Sequence, residues 1–213
     1  MPIRAIVFDF NGTLSDDEPL LCEIFVEMFA HRGRPLSAQE YFDQLAGLSD
    51  PEIVLEWLGR DYADVAGAVD ERVRRYRDAV SDGSTVHEHV REAVRYAAER
   101  VPLAICSGAA RAEIEPVVEA AGLAPLLRGI VSSDDVRHGK PHPEGYLKAL
   151  ALFGDVQPGE VLAIDDTEAG VASAKAAGLL TFAKTGTLDP HRLTAADELI
   201  DRIDIELMQR VLG

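Results

Sequence analysis

Five short apolar runs rich in branched residues constrain this chain more than any other feature. They span 3–8, 101–106, 129–132, 161–164 and 179–183, and each reads as a buried strand of a parallel sheet. Gly178, ahead of the fifth run, has the position of a helix C-terminal glycine. Stretches rich in Ala, Glu and Arg at roughly 85–99, 110–121, 142–153 and 167–177 separate the runs and read as helices. Alternation of this kind predicts an α/β fold with a doubly wound parallel sheet, in which ligands bind at the carboxyl ends of the strands.

The interval 16–82 breaks the alternation. Apolar residues at Leu21, Ile24, Phe25, Met28 and Phe29 follow helical spacing, and Ser49-Asp50-Pro51 reads as a helix start with proline in the first turn. The expected organisation is therefore a core domain formed by 1–15 and 83–213, with an inserted α-helical domain over 16–82.

Composition excludes several partners. The net charge of −16, from 21 Lys+Arg against 37 Asp+Glu, disfavours nucleic acid, whose phosphates need basic side chains. No apolar run reaches the length of a membrane span, and no basic-then-apolar leader precedes the first strand, so neither a membrane anchor nor a signal peptide is expected. Cys22 and Cys106 lie in unlike contexts, on a helix and at a strand end, and read as reduced thiols of a cytoplasmic protein.

Four of the strands run into polar loops that should converge at one edge of the sheet. They carry Asp9, Asn11 and Thr13; Ser107 and Gly108; Gly139-Lys140-Pro141; and Asp165-Asp166. Carboxylates gathered at one edge repel one another unless a hard cation joins them, and Mg²⁺ takes oxygen ligands. Lys140, one of only four lysines, can offset phosphoryl charge, while Thr13, Ser107 and loop amides donate hydrogen bonds to it. Asp9 can then attack phosphorus and form an aspartyl phosphate, dividing one hard hydrolysis into two steps.

Asp9-Phe10-Asn11-Gly12-Thr13-Leu14, Ile105-Cys106-Ser107-Gly108, Gly139-Lys140-Pro141 and Ile164-Asp165-Asp166-Thr167 occur in this order. In that pattern the chain resembles the haloacid dehalogenase-like hydrolase superfamily, in its helical-cap class, and is similar to β-phosphoglucomutase-like and phosphoglycolate-type phosphatases. The resemblance covers nearly the whole chain. It implies a Rossmann-like core, a helical cap and a small phosphorylated metabolite as substrate, in a monomer or homodimer. It further implies Asp9 as nucleophile and metal ligand, Asn11 as a metal ligand through its backbone carbonyl, and Thr13, Ser107 and Gly108 around the phosphoryl group. Lys140 would neutralise that group, and Asp165 and Asp166 would complete a Mg²⁺ site. Gly47 and Ser49 fall in a segment that reads equally as a loop facing substrate from the cap and as a plain helix-capping turn.

The chain departs from the family at Asn11, where phosphatases carry the aspartate that protonates the leaving group and later activates water. An amide cannot move that proton, and loss of a general acid–base group costs about 10²–10⁴ in rate. Three readings stay open: a substrate with a good leaving group, or a neighbouring carboxylate (Asp16, Asp17 or Glu18) in the proton role; a non-phosphatase reaction such as dehalogenation; or a catalytically weak metabolite-binding or regulatory protein. Asn11-Gly12 is also a deamidation-prone pair. The cap histidine and arginine of the family's sugar-phosphate mutases are replaced by Leu21 and Asp50, which argues against mutase activity. Arg72, Arg74, Arg75 and Arg77 offer either an anion site or a solvated helix face paired with acids.

Overall fold

Strict alternation along the central strands decides what covers each face of the sheet. In β1 (Ala5–Phe8), Ile6 and Phe8 belong to one apolar cluster and Ala5 and Val7 to the other, and all four are fully buried. Both faces must therefore be covered by helices. The computed structural model describes residues 2–80 and 82–213. β1 joins β2 (Leu103–Cys106), β3 (Leu127–Val131), β4 (Val161–Asp165), β5 (Leu180–Lys184) and β6 (Glu198–Ile200) in one sheet of order β3-β2-β1-β4-β5-β6, and all five pairings are parallel. This is a Rossmann-like α/β core.

Four helices lie between β1 and the rest of the core: α1 (Glu18–His31), α2 (Ala38–Glu40), α3 (Asp50–Leu58) and α4 (Val65–Val80). The core helices are α5 (Glu88–Ala98), α6 (Arg111–Ala120), α7 (Glu144–Ala151), α8 (Glu168–Ala176) and α9 (Ile205–Leu212). Val94 of α5, Val118 of α6 and Met208 of α9 pack into the cluster that holds Ile6 and Phe8. Tyr146 and Ala149 of α7 and Ala174 of α8 pack into the cluster that holds Ala5 and Val7. The first cluster continues without a break into the inserted helices through Phe25, Met28, Phe29 and Tyr41.

Three features differ from the sequence reading. β6 and α9 were not expected: β6 is a three-residue edge strand reading Glu-Leu-Ile, too short to show a period. The interval 16–82 is helical but interrupted at 32–37, 46–49 and 59–64, with a π-helical turn at Tyr41–Leu45. Ser81, inside that interval, lies outside the described residues. The arginines of α4 also divide. Arg74 makes an exposed i,i+4 pair with Asp78, and Arg75 pairs with Glu27 and Glu71. Arg72 is buried and ion-pairs with Asp50 of α3 and Glu113 of α6, so it ties the insert to the core.

Removing one partner of a buried ion pair strands the other charge. Glu113→Ala should cost about 3–5 kcal/mol and lower Tm by roughly 10 °C. Arg74→Ala, which breaks only an exposed pair, should stay within about 0.5 kcal/mol. Thermal denaturation of both variants decides the matter, and equal shifts would contradict this division of the α4 arginines.

Candidate active site

β1 ends at Phe8, and the next residue, Asp9, emerges at the carboxyl edge with its backbone N–H donated to the Ile164 carbonyl of β4 (2.8 Å). That parallel register sets Asp9 beside the end of β4, where Asp165 and Asp166 leave the sheet. Lys140, from the loop ahead of α7, inserts its ammonium between two of these carboxylates. Its Nζ lies 2.5 Å from Asp9 Oδ1 and 2.6 Å from Asp165 Oδ2. Carboxylate oxygens of Asp9, Asp165 and Asp166 all fall within 4.8 Å of one another, and all three residues are buried.

The two adjacent aspartates are held differently. Asp165 accepts four hydrogen bonds: from Lys140 and the Tyr146 hydroxyl (2.7 Å) at Oδ2, and from the Thr167 N–H (3.0 Å) and hydroxyl (2.8 Å) at Oδ1. A side chain at Gly170 would overlap its carboxylate, with a Cβ 2.0 Å from either oxygen. Asp166 accepts from the Thr13 hydroxyl (2.9 Å) and from the side chain of Thr187. Gly12 lies against it with φ +70°, and a Cβ there would sit 2.0 Å from Asp166 Oδ2. Lys184, at the end of β5, donates to the Gly12 carbonyl (2.8 Å) and fixes the same loop from the far side.

Charge at this edge is under-compensated. Burial pushes the Asp9 carboxyl well up; Lys140 pulls it back, but Asp165 and Asp166 add to the rise. Asp166 is pushed up to about 6 by burial and by Asp165. Asp165 is also penalised by burial, yet its attraction to Lys140 and its hydrogen bonds from Lys140, Tyr146 and Thr167 outweigh the penalty and hold it below the usual range. Partly buried Glu18 of α1 is pushed up to about 8 by burial and by Asp166, Asp17 and Asp9, and it accepts from the Tyr41 hydroxyl (3.4 Å). An all-oxygen cluster with residual negative charge fits a hard divalent cation such as Mg²⁺.

The Asn11 side chain is engaged by Asp17 and Tyr76. Its Nδ2 donates to Asp17 Oδ2 (2.9 Å) and approaches the Tyr76 hydroxyl of α4 (3.3 Å). Ser107 is buried at the end of β2, where its hydroxyl oxygen accepts the Ala109 N–H (3.1 Å), and Gly108 is exposed beside it. A Cβ built on Gly47 would lie 3.6 Å from Thr167 and from Leu188, so this turn of the insert rests beside the end of β4. Ser49 instead caps α3, with its N–H (2.9 Å) and hydroxyl (2.5 Å) on Glu52. His138 and His142 are exposed, and His138 is occupied with Glu144. Buried Cys106 has its thiol pushed up to about 12 by burial, which leaves it unreactive. Sequence reasoning missed Tyr76, Tyr146, Lys184 and Thr187, because each reaches the site from an element whose own pattern reports only packing or a loop.

A parallel sheet with this set of residues at its carboxyl edge defines a class, and the family model of haloacid dehalogenase-like hydrolases matches residues 3–178. The chain belongs to this family of hydrolases. It is 30% identical to validoxylamine A 7′-phosphate phosphatase of Streptomyces hygroscopicus subsp. limoneus, over 92% of each chain. It is 28% identical to phosphoglycolate phosphatase of Yersinia pseudotuberculosis, over 83% of this chain and 78% of that one. Among solved structures, a mutant of CbbY from Rhodobacter sphaeroides in complex with xylulose-(1,5)bisphosphate matches with a TM-score of 0.83 at 27% identity, over 96% of each chain.

The raised carboxyls carry a pH consequence for the metal-free protein. Asp166 and Glu18 bind their protons more tightly folded than unfolded, so their contribution is complete below their ordinary values of 3.8 and 4.5. It is lost as pH rises through about 6 and about 8. With chelator present, Tm should fall between pH 5 and 8, and Glu18→Gln should flatten the upper part of that slope. A Tm that climbs across this interval would contradict the assignment.

Proposed function

We propose that this chain is a Mg²⁺-dependent phosphatase of a small phosphorylated metabolite, working through an aspartyl phosphate on Asp9. The observation that carries this reading is Lys140 seated between Asp9 and Asp165, with Asp166 completing the buried carboxylate cluster. Asp9, Asp166 and the backbone carbonyl of Asn11 are the groups that would hold the metal. Asp165 is the less available of the adjacent pair, because four donors already occupy it. The metal, when bound, supplies charge that offsets the phosphoryl oxygens and relieves repulsion at the nucleophile.

An oxygen of Asp9 attacks phosphorus as the bond to the leaving oxygen breaks, and the leaving group departs as an anion that solvent protonates. Water then attacks the same phosphorus and gives up a proton to solvent, the phosphorus–Asp9 bond breaks, and phosphate departs with the Asp9 carboxylate restored. Lys140 holds Asp9 in place and offsets phosphoryl charge, while Thr13, Ser107 and the amides at Gly108 donate to the phosphoryl oxygens. The inserted helices over 16–82 act as a cap, with the Gly47 turn over the site, and exclude water during transfer. Asn11 supplies no proton, which favours substrates whose leaving group departs as an anion. The acidic surface and the free thiols Cys22 and Cys106 support a cytoplasmic enzyme of small anions rather than of nucleic acid. The second reading, a slow or inactive metabolite-binding protein, is favoured by the engagement of the Asn11 amide with Asp17.

Phosphate release from a metabolite panel, with and without Mg²⁺, tests the proposal. Asp9→Asn should abolish release, and Lys140→Ala should lower kcat/KM by about 10²-fold or more; full activity in either variant would remove that residue from the chemistry. Turnover should also depend steeply on the leaving group. p-Nitrophenyl phosphate should outrun an alkyl phosphate by about 10²–10⁴, the range a general acid normally supplies. Tight binding of a metabolite without turnover would replace the phosphatase reading with the sensor.

A further inference from the structure

Four donors converge on one buried carboxylate beside the nucleophile loop. Asp17 is 0% exposed and accepts the Gly12 N–H at Oδ1 (3.1 Å), the Asn11 amide at Oδ2 (2.9 Å), the Tyr76 hydroxyl at Oδ2 and the side chain of Ser15. Tyr76, also 0% exposed, descends from α4. All four donors are neutral. A buried carboxylate held this way depends on every one of them, because an acceptor left unsatisfied in the interior costs more than an ordinary hydrogen bond gains.

We propose that Asp17 and Tyr76 are positioning residues that form a dedicated receiver for the Asn11 side chain, so that the position two residues after the nucleophile is built to carry an amide. Asn11 is the donor and Asp17 the acceptor. Adjacent Gly12 is tied to the same carboxylate, which fixes the loop at consecutive residues just beyond Asp9. Asn11→Asp alone turns the donor into an acceptor and sets two carboxylates 2.9 Å apart at an unchanged geometry. It therefore cannot be read as a simple restoration of a missing acid. Asp17→Asn alone puts one amide in place of the carboxylate that receives the other. The two changes together reverse the polarity of the bond and restore the match: the amide at 17 donates to the carboxylate at 11, the Gly12 N–H keeps the oxygen at 17, and the Tyr76 hydroxyl, 3.3 Å from the side chain at 11, turns its proton to the carboxylate there.

The test is a double-mutant cycle of Asn11→Asp and Asp17→Asn on the full chain, read as Tm in chelator and as kcat and KM for p-nitrophenyl phosphate with Mg²⁺. Each single substitution should lower Tm by about 4–8 °C, and the double variant should recover most of that loss. If Asn11→Asp is recovered only as aggregate, a folded double variant still supports the receiver and an aggregated one overturns it. The double variant should exceed Asn11→Asp in kcat by about tenfold or more with KM little changed, which loss of fold stability alone does not produce. Additive Tm losses, or a kcat for Asn11→Asp equal to that of the double variant, overturn the proposal. The kcat arm rests on the phosphatase reading and the Tm arm does not. Coupled Tm values with no turnover in any form, wild type included, support the receiver and overturn the phosphatase.

Discussion

The ammonium of Lys140 is the interaction on which the carboxyl edge depends. Three buried carboxylates within 4.8 Å would repel one another strongly, and each close pair of unit charges is worth about 4 kcal/mol at 4 Å even in an effective dielectric of 20. One cation shared between Asp9 and Asp165 offsets part of this at both, and holds Asp165 below its ordinary range. The sharing is directional because Asp165 is immobilised by Tyr146 and Thr167, so the lysine is aimed at Asp9 by a carboxylate that cannot turn away. Parallel topology is what makes the meeting possible: β1 and β4 are neighbours in register, and α7, which follows Lys140, packs Tyr146 against the same sheet face.

One face of α4 joins the insert to the core and to the segment that leads into it. Arg72 and Tyr76 are one helical turn apart and both are buried; Arg72 ends on Glu113 of the core and Tyr76 on Asp17, just ahead of α1. Glu113 in turn accepts the Ala110 N–H (3.1 Å) at the start of α6, directly after the Ser107-Gly108 turn. The same helix therefore touches the loop that carries Asn11 and the helix start beside the proposed phosphoryl site. Moving α4 away from α6 would unmake the buried Arg72–Glu113 ion pair.

Most of the core and the central residues were legible because strand and helix periods are strong over these lengths, and because loops from parallel strands must meet at one edge. Asp9, Lys140 and Asp165 come together as the alternation required. The illegible parts have physical reasons. β6 carries no period over three residues. Arg72 looks in sequence like its neighbours Arg74 and Arg75, and only tertiary packing decides which arginine is buried. The pairing of Asn11 with Asp17 and Tyr76 joins residues up to 65 positions apart, and no local pattern encodes it. Of the two readings the sequence leaves open for Ser49, its hydroxyl takes the helix-capping one, on Glu52 in the cap of α3.

The meaning of Asn11 turns on whether the amide is durable. Deamidation of an Asn-Gly pair requires the glycine nitrogen to attack the side-chain carbonyl carbon and close a five-membered ring. Here the Gly12 N–H is donated to Asp17, and Gly12 is wedged against Asp166 and Thr187 at a φ of +70°. The Asn11 amide is itself tied to the same carboxylate. Ring closure would have to break both bonds to Asp17 and rotate a residue with no free space toward Asp166. The contacts that orient the amide thus also oppose its deamidation. On the phosphatase reading, the proton that Asn11 cannot supply has to come from another group, or the leaving group has to need none.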